Sequence, residues 1–207
     1  MNIHLSLSPK MRVRDENKEA TIRERAMEMI VSEGFDGFSM QKLAKAAGVS
    51  PATIYIYFKN REDLLNCLYN DVQKTFSEVA LHKFSPTLSL EEGLWVQWKN
   101  RLKFIIDYPV YYKFFEQFRH SPCINHKAID KSEFKENMKQ FAMNAAKRGE
   151  LAKMDPEVFW ALAYSPFYTL VKFHLQNESL MGNSYKITDA KLKHLLKMVV
   201  QALKQHK

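Results

Sequence analysis

The chain has two cysteines in 207 residues, Cys67 and Cys123, and they form no CxxC pair. No run of 18 apolar residues is present to span a bilayer, and no signal-like apolar stretch follows the first residues. A reduced, cytoplasmic protein without a membrane partner is the expectation. Alternating strand patterns and internal repeats are also missing, while apolar residues recur with helical period throughout. That makes the expected class all-α. The common catalytic signatures are absent as well: no glycine-rich phosphate loop, no nucleophile elbow, and no paired carboxylates in a recognisable setting. Neither an enzyme nor a bound cofactor is expected. His120, Cys123 and His126 have metal-binding side chains at H-x2-C-x2-H spacing, but a fourth ligand is lacking and Pro122 breaks helical register. A polar interhelical loop accounts for them, and no metal site is expected.

Charge is abundant but not where a first glance places it. The net charge is +8, yet residues 1–83 hold 12 Lys and Arg against 11 Asp and Glu, a net of +1. The remaining 19 cations and 12 acids carry +7. Much of that excess lies in the last 22 residues, where six lysines face the single acid Asp189, the pattern of a solvated helix face. A global basic balance therefore says little about nucleic acid.

One short segment says much more. In Ser39 to Lys59, SMQKLAKAAGVSPATIYIYFK, Ser39 suits an N-cap before Met40, and Ser50 suits a second N-cap with Pro51 at the first helical position. Gly48 supplies the positive φ that a tight turn between the helices requires. Leu43, Ala44 and Ala47 mark the inner face of the first helix, and Ile54 and Phe58 that of the second. Thr53, Tyr55 and Tyr57 are left outward, on a helix whose free start can meet a phosphate. From Ser39 to Arg61 the charged residues are Lys42, Lys45, Lys59 and Arg61, with no acid. Such a local field suits a DNA-facing surface.

Across GFDGFSMQKLAKAAGVSPATIYIYFKNREDLL, residues 34–65, the chain resembles the TetR-like transcriptional regulators. That resemblance implies DNA contacts from Ser39, from the helix start Ser50, Pro51, Ala52 and Thr53, from Tyr55 and Tyr57, and from Arg61; the charge pattern adds Lys42 and Lys59. Two positions depart from the family habit: Ala52 stands where glycine is frequent, and Arg61 where lysine is usual.

The expected organisation is an N-terminal arm over 1–14, a three-helix reading domain over 15–59, a connecting helix over 60–83, and an effector-binding and dimerisation bundle over 84–207. Lys10, Arg12 and Arg14 could bring the arm to DNA. Gly34 should stop the first helix, Asn60 with Asp63 should open the fourth, and Ser89 with Glu92 should open the fifth. Pro109, Gly149, Pro156 and a kinking Pro166 punctuate the rest of the bundle, and a last helix runs from about Thr188 to Lys204.

The last domain holds 19 of the 26 aromatics. Each ring alone is ordinary core filling, but the cluster suits a pocket for a greasy or aromatic effector. The candidate lining is Trp95, Trp98, Tyr111, Phe114, Phe118, Phe141, Trp160, Tyr164 and Phe167. The resemblance implies a homodimer through the last two helices, with Leu192, Leu195, Leu196 and Val199 as candidate interface residues. It also implies a palindromic double-stranded operator, because one recognition helix reads too few base pairs alone. The expected function is a repressor released by a small molecule. A DNA-associated protein that engages a protein partner through the same fold is the alternative.

Overall fold

In a computed structural model, residues 15–119 and 132–204 are described, and among them all regular structure is helical. The N-terminal arm and the His120, Cys123, His126 cluster lie outside the described residues. The helices are α1 (Glu16–Gly37), α2 (Met40–Ala46), α3 (Pro51–Tyr57), α4 (Arg61–Ala80), α5 (Leu90–Asp107), α6 (Pro109–Arg119), α7 (Ser132–Lys147), α8 (Pro156–Gln176) and α9 (Asp189–Leu203). They sort into two compact units, one taking the chain through Tyr69 together with α6 from Lys113, the other Asn70 through Tyr112 and the described residues from Ser132.

The first unit is built on α1. Asp15 caps it by accepting from the backbone amides of Asn17 and Lys18, and Ile22, Ala26 and Ile30 form a fully buried stripe. Gly34 does break the helix, at φ 73° and ψ 177°, although one further helical turn continues to Gly37. That stripe receives α2 and α3 through Leu43, Ala44, Ile54 and Phe58, all buried. Leu64, Leu65 and Leu68 of α4 are fully buried as well.

The second half of α6 belongs to this unit, not to the bundle where the sequence boundaries placed it. Phe118 lies 4.6 Å from the Tyr69 ring and 5.4 Å from the Phe35 ring, and Phe115 stacks on Tyr69 at 5.9 Å. Phe114 lies 5.2 Å from Phe118 and is likewise fully buried. Spacing of i, i+1 and i+4 puts the three rings on one side of a helix, which is what a bracing element needs.

In the second unit α5 is central, packing on α7, α8 and α9. Its start is a full capping box of Ser89 and Glu92, as the sequence indicates. Gly93 lets α7 approach, since a Cβ there would come within 2.2 Å of the Phe141 ring. Trp98 donates its indole N–H to the Ala163 carbonyl at 2.9 Å, and Lys99 pairs with Asp189 at 2.7 Å. Pro166 does not divide α8, which continues from Pro156 to Gln176 and ends on Asn177 in the left-handed region.

Candidate nucleic-acid interface

The hairpin of α2 and α3 takes its geometry from local hydrogen bonds. Ser39 Oγ accepts from Lys42 N at 3.2 Å, and Ser50 Oγ accepts from Thr53 N at 3.2 Å. Gly48, at φ 65°, carries the turn, and Val49 N donates back to Ala44 O at 2.9 Å. With Ile54 and Phe58 facing α1, the opposite side of α3 presents Pro51, Ala52, Tyr55 and Ile56 to solvent, Tyr55 with 53% of its surface exposed. Lys45 and Lys59 are exposed beside it.

Several expected contact residues are already engaged within the unit. The Tyr57 hydroxyl accepts from the backbone N–H of Asp15 at 3.1 Å, so this ring is half-buried and ties α3 to the start of α1. Arg61 is half-buried: its guanidinium donates to the Phe35 carbonyl at 2.8 Å and lies over the Phe38 ring at 5.5 Å. Lys42 donates to Glu33 at 2.9 Å and to the Gly37 carbonyl at 2.9 Å. Thr53 shares its hydroxyl with Ser50 at 2.9 Å.

The acid-free field read from residues 39–61 is thus interrupted by Glu33, nine positions before Lys42 in sequence. Both partners of that pair are largely exposed, so it is worth about 0–1 kcal/mol and a phosphate can displace the carboxylate cheaply. Glu33 and Asp15 are the residues that sequence reasoning missed. Asp15 lines, with Lys18, Gly48, Val49, Ser50, Thr53, Ile56 and Tyr57, a cleft of about 320 Å³ beside the start of α3. Its carboxyl is held below the usual range by the hydrogen bond from Lys18.

An exposed, capped α3 of this shape, carried on a buried three-helix core, has the form of a helix-turn-helix reader. Residues 22–68 match the family model described as bacterial regulatory proteins of the tetR family. An uncharacterised HTH-type transcriptional regulator from Haemophilus influenzae is 31% identical over 135 residues, 65% of this chain and 71% of that protein. The chain belongs to the TetR family. A TetR-family regulator from Marinobacter aquaeolei has a solved structure with a TM-score of 0.72 at 29% identity, covering 95% of this chain and all of that one. The fatty acid metabolism regulator of Bacillus subtilis is 41% identical over 61 residues, 30% of this chain and 31% of that protein. A solved structure of B. subtilis FadR in complex with stearoyl-CoA shares the fold, with a TM-score of 0.60 at 20% identity over 90% of this chain and 98% of that one.

In this TetR-family chain the nine aromatics expected to line one pocket are divided between the two units. Phe114 and Phe118 are fully buried in the first unit, since their side of α6 braces Phe35 and Tyr69. Phe141 is spent filling the space over Gly93, 5.3 Å from Phe84. Trp95 is half-buried beneath Lys99 and Lys193, 5.7 Å and 5.5 Å from its ring. Tyr111 leans on Tyr108 at 5.8 Å, and burial pushes its phenol above the ordinary range. Trp98 and Phe167 pack together at 5.4 Å. Trp160 and Tyr164, 4.4 Å apart, stand instead around a buried cation that the sequence did not single out, Arg101.

The candidate interface residues of α9 also need correction. Leu192, Leu196 and Val199 are buried within their own chain and Leu195 is half-buried, because the apolar stripe of α9 faces α5 and α8. Val158, Trp160, Leu162 and Leu175 of α8 and Met198 of α9 are the large apolar residues left outward on these two helices.

Proposed function

We propose that the chain is a dimeric repressor that leaves a palindromic operator when a small effector enters its second unit. The observation that carries DNA reading is the solvent-facing side of α3, where Ala52, Tyr55 and Ile56 stand clear between the two caps. Bases are met by Thr53, Ala52 and Tyr55 in a major groove, while Ser39, Ser50, Lys42 and Lys59 meet phosphate. Tyr57 and Arg61 act from behind, holding α3 and the start of α4 at a fixed angle, and reach phosphate only with the part of their polar surface that local bonds leave over.

Two such readers must be joined for useful specificity. Outward Val158, Leu162 and Met198 supply an apolar patch on neighbouring helices α8 and α9 for a symmetric pairing. A cytoplasmic location follows from the work of reading DNA, and no described helix is long and apolar enough to cross a membrane. Effector binding is supported by the stearoyl-CoA complex of a protein with this fold. Selection of bound DNA from a random pool, then a screen for compounds that release the recovered site, tests the reading. A palindromic site with two-fold protein stoichiometry is expected, and failure to enrich any site overturns it.

A further inference from the structure

Arg101, in the middle of α5, has 1% of its surface exposed. All three guanidinium nitrogens are buried without an acceptor within 3.5 Å among the described residues, although the Tyr164 hydroxyl is near enough to feel the charge. Rings surround the charge instead. Its guanidinium carbon lies 4.5 Å from the Tyr164 ring centre, 5.1 Å from Phe76, 5.4 Å from Phe134 and 5.6 Å from Trp160, all within the second unit. Ring faces attract a cation, but they accept no hydrogen bonds in the fork geometry of a guanidinium. A buried ion left in this state is costly, and an anion is the group that removes the cost.

We propose that Arg101 anchors the effector, and that the effector is a monocarboxylate with an apolar body. This rests on the effector reading above and gives it a chemistry. A planar fork of N–H donors matches a carboxylate in two parallel hydrogen bonds. The surrounding rings accept a methylene chain or a flat ring but offer nothing to a second charge. Two nearby polar atoms among the described residues are neutral: the Tyr164 hydroxyl, which donates to Met138 Sδ at 3.6 Å, and, one turn back on α5, the buried side-chain oxygen of Gln97, which lacks a donor. A head group with several charges, such as a nucleotide, would strand the others among these rings. Access is local, because Trp160 is 40% exposed and lies against Tyr164.

The test uses the full chain, with calorimetric binding of decanoate, octadecanoate and 4-phenylbutyrate, and with octadecanol and stearoyl-CoA as matched probes without a free carboxylate. At least one acid is expected to bind, with its alcohol or CoA thioester weaker by about 30-fold or more, the cost of leaving a buried charge unpaired. Arg101→Met should weaken the acid to a similar degree while keeping or raising Tm and retaining DNA binding, because methionine fills much of the space without the charge. Arg101→Lys, which keeps the charge and loses the fork, should fall between.

Equal binding of the acid by wild type and Arg101→Met, a thioester that binds as well as its acid, or no binding by any acid would each overturn the inference. So would a collapse of Tm in Arg101→Met, which would make the arginine structural. Release of DNA by neutral compounds from both proteins would remove the carboxylate and leave the effector reading intact. Failure of every compound class to release DNA would remove both.

Discussion

Arg61 and Arg101 show how differently the two units treat a withdrawn positive charge. In the reading unit, Arg61 is half-buried, lies over one ring, and has a carbonyl to bond. In the second unit, Arg101 is fully buried among four rings with no described acceptor. The contrast extends beyond these two residues: the caps of α1, α2 and α3 in the reading unit are closed, and Tyr57 and Lys42 bond within it. The reading unit has buried orphans too, the side-chain oxygens of Asn66 and Gln117, but both are neutral. One of the second unit's orphans is a full charge, the costlier group to leave unpaired.

The largest effect that can probe this contrast is in the second unit's core. Trp98→Ala removes a fully buried ring and the indole hydrogen bond to the Ala163 carbonyl, so a loss of about 3–5 kcal/mol is expected. Chemical denaturation with separate probes on the two units should show the second unit failing first. If both melt together at the wild-type midpoint, the view of α5 as the organising helix is wrong.

Next in size is Arg61→Ala. Loss of a charged hydrogen bond and a cation–ring contact should cost about 1–3 kcal/mol of stability and weaken binding to all DNA sequences alike. Thermal melting with a salt series of DNA affinity checks this. A large drop in salt slope with no change in Tm would return Arg61 to a simple phosphate contact. Tyr57→Phe should come third, with a loss of about 0.5–1.5 kcal/mol from the acceptor of the Asp15 amide, and a fall in DNA affinity that tracks the loss of stability.

How much of this was legible in the sequence differs by region for physical reasons. Caps, the Gly48 turn, the Ser89 and Glu92 box and the inner stripes are encoded within four residues of one another, and the structure has them where the spacing put them. Pairings between distant positions left no such trace. Asp15 meets Tyr57 across 42 residues, and Glu33 meets Lys42 around a helix corner, so residues chosen for their outward letters turned out partly occupied. Periodicity also cannot say which neighbour a stripe serves. The stripe of α9 was legible, but its use by α5 and α8 rather than a second chain was not. Arg101 was invisible for a related reason, since between Lys99 and Lys103 it looks like one more solvated cation.

The smallest expected effect lies at the edge of the reading face, in Glu33→Gln. Both partners of the Glu33 and Lys42 pair are well exposed, so the change should move stability by less than about 1 kcal/mol. Its influence on DNA binding runs the other way. Removing one negative charge beside the interface releases Lys42 to a phosphate and should tighten binding to any sequence, with a steeper dependence on salt and an unchanged order of preferred sites. Affinity for the selected site and for a scrambled one, measured across a salt series, resolves the point. Tightening of the selected site alone would mean that Lys42 takes part in base readout, and that the reading face extends from α3 onto α2.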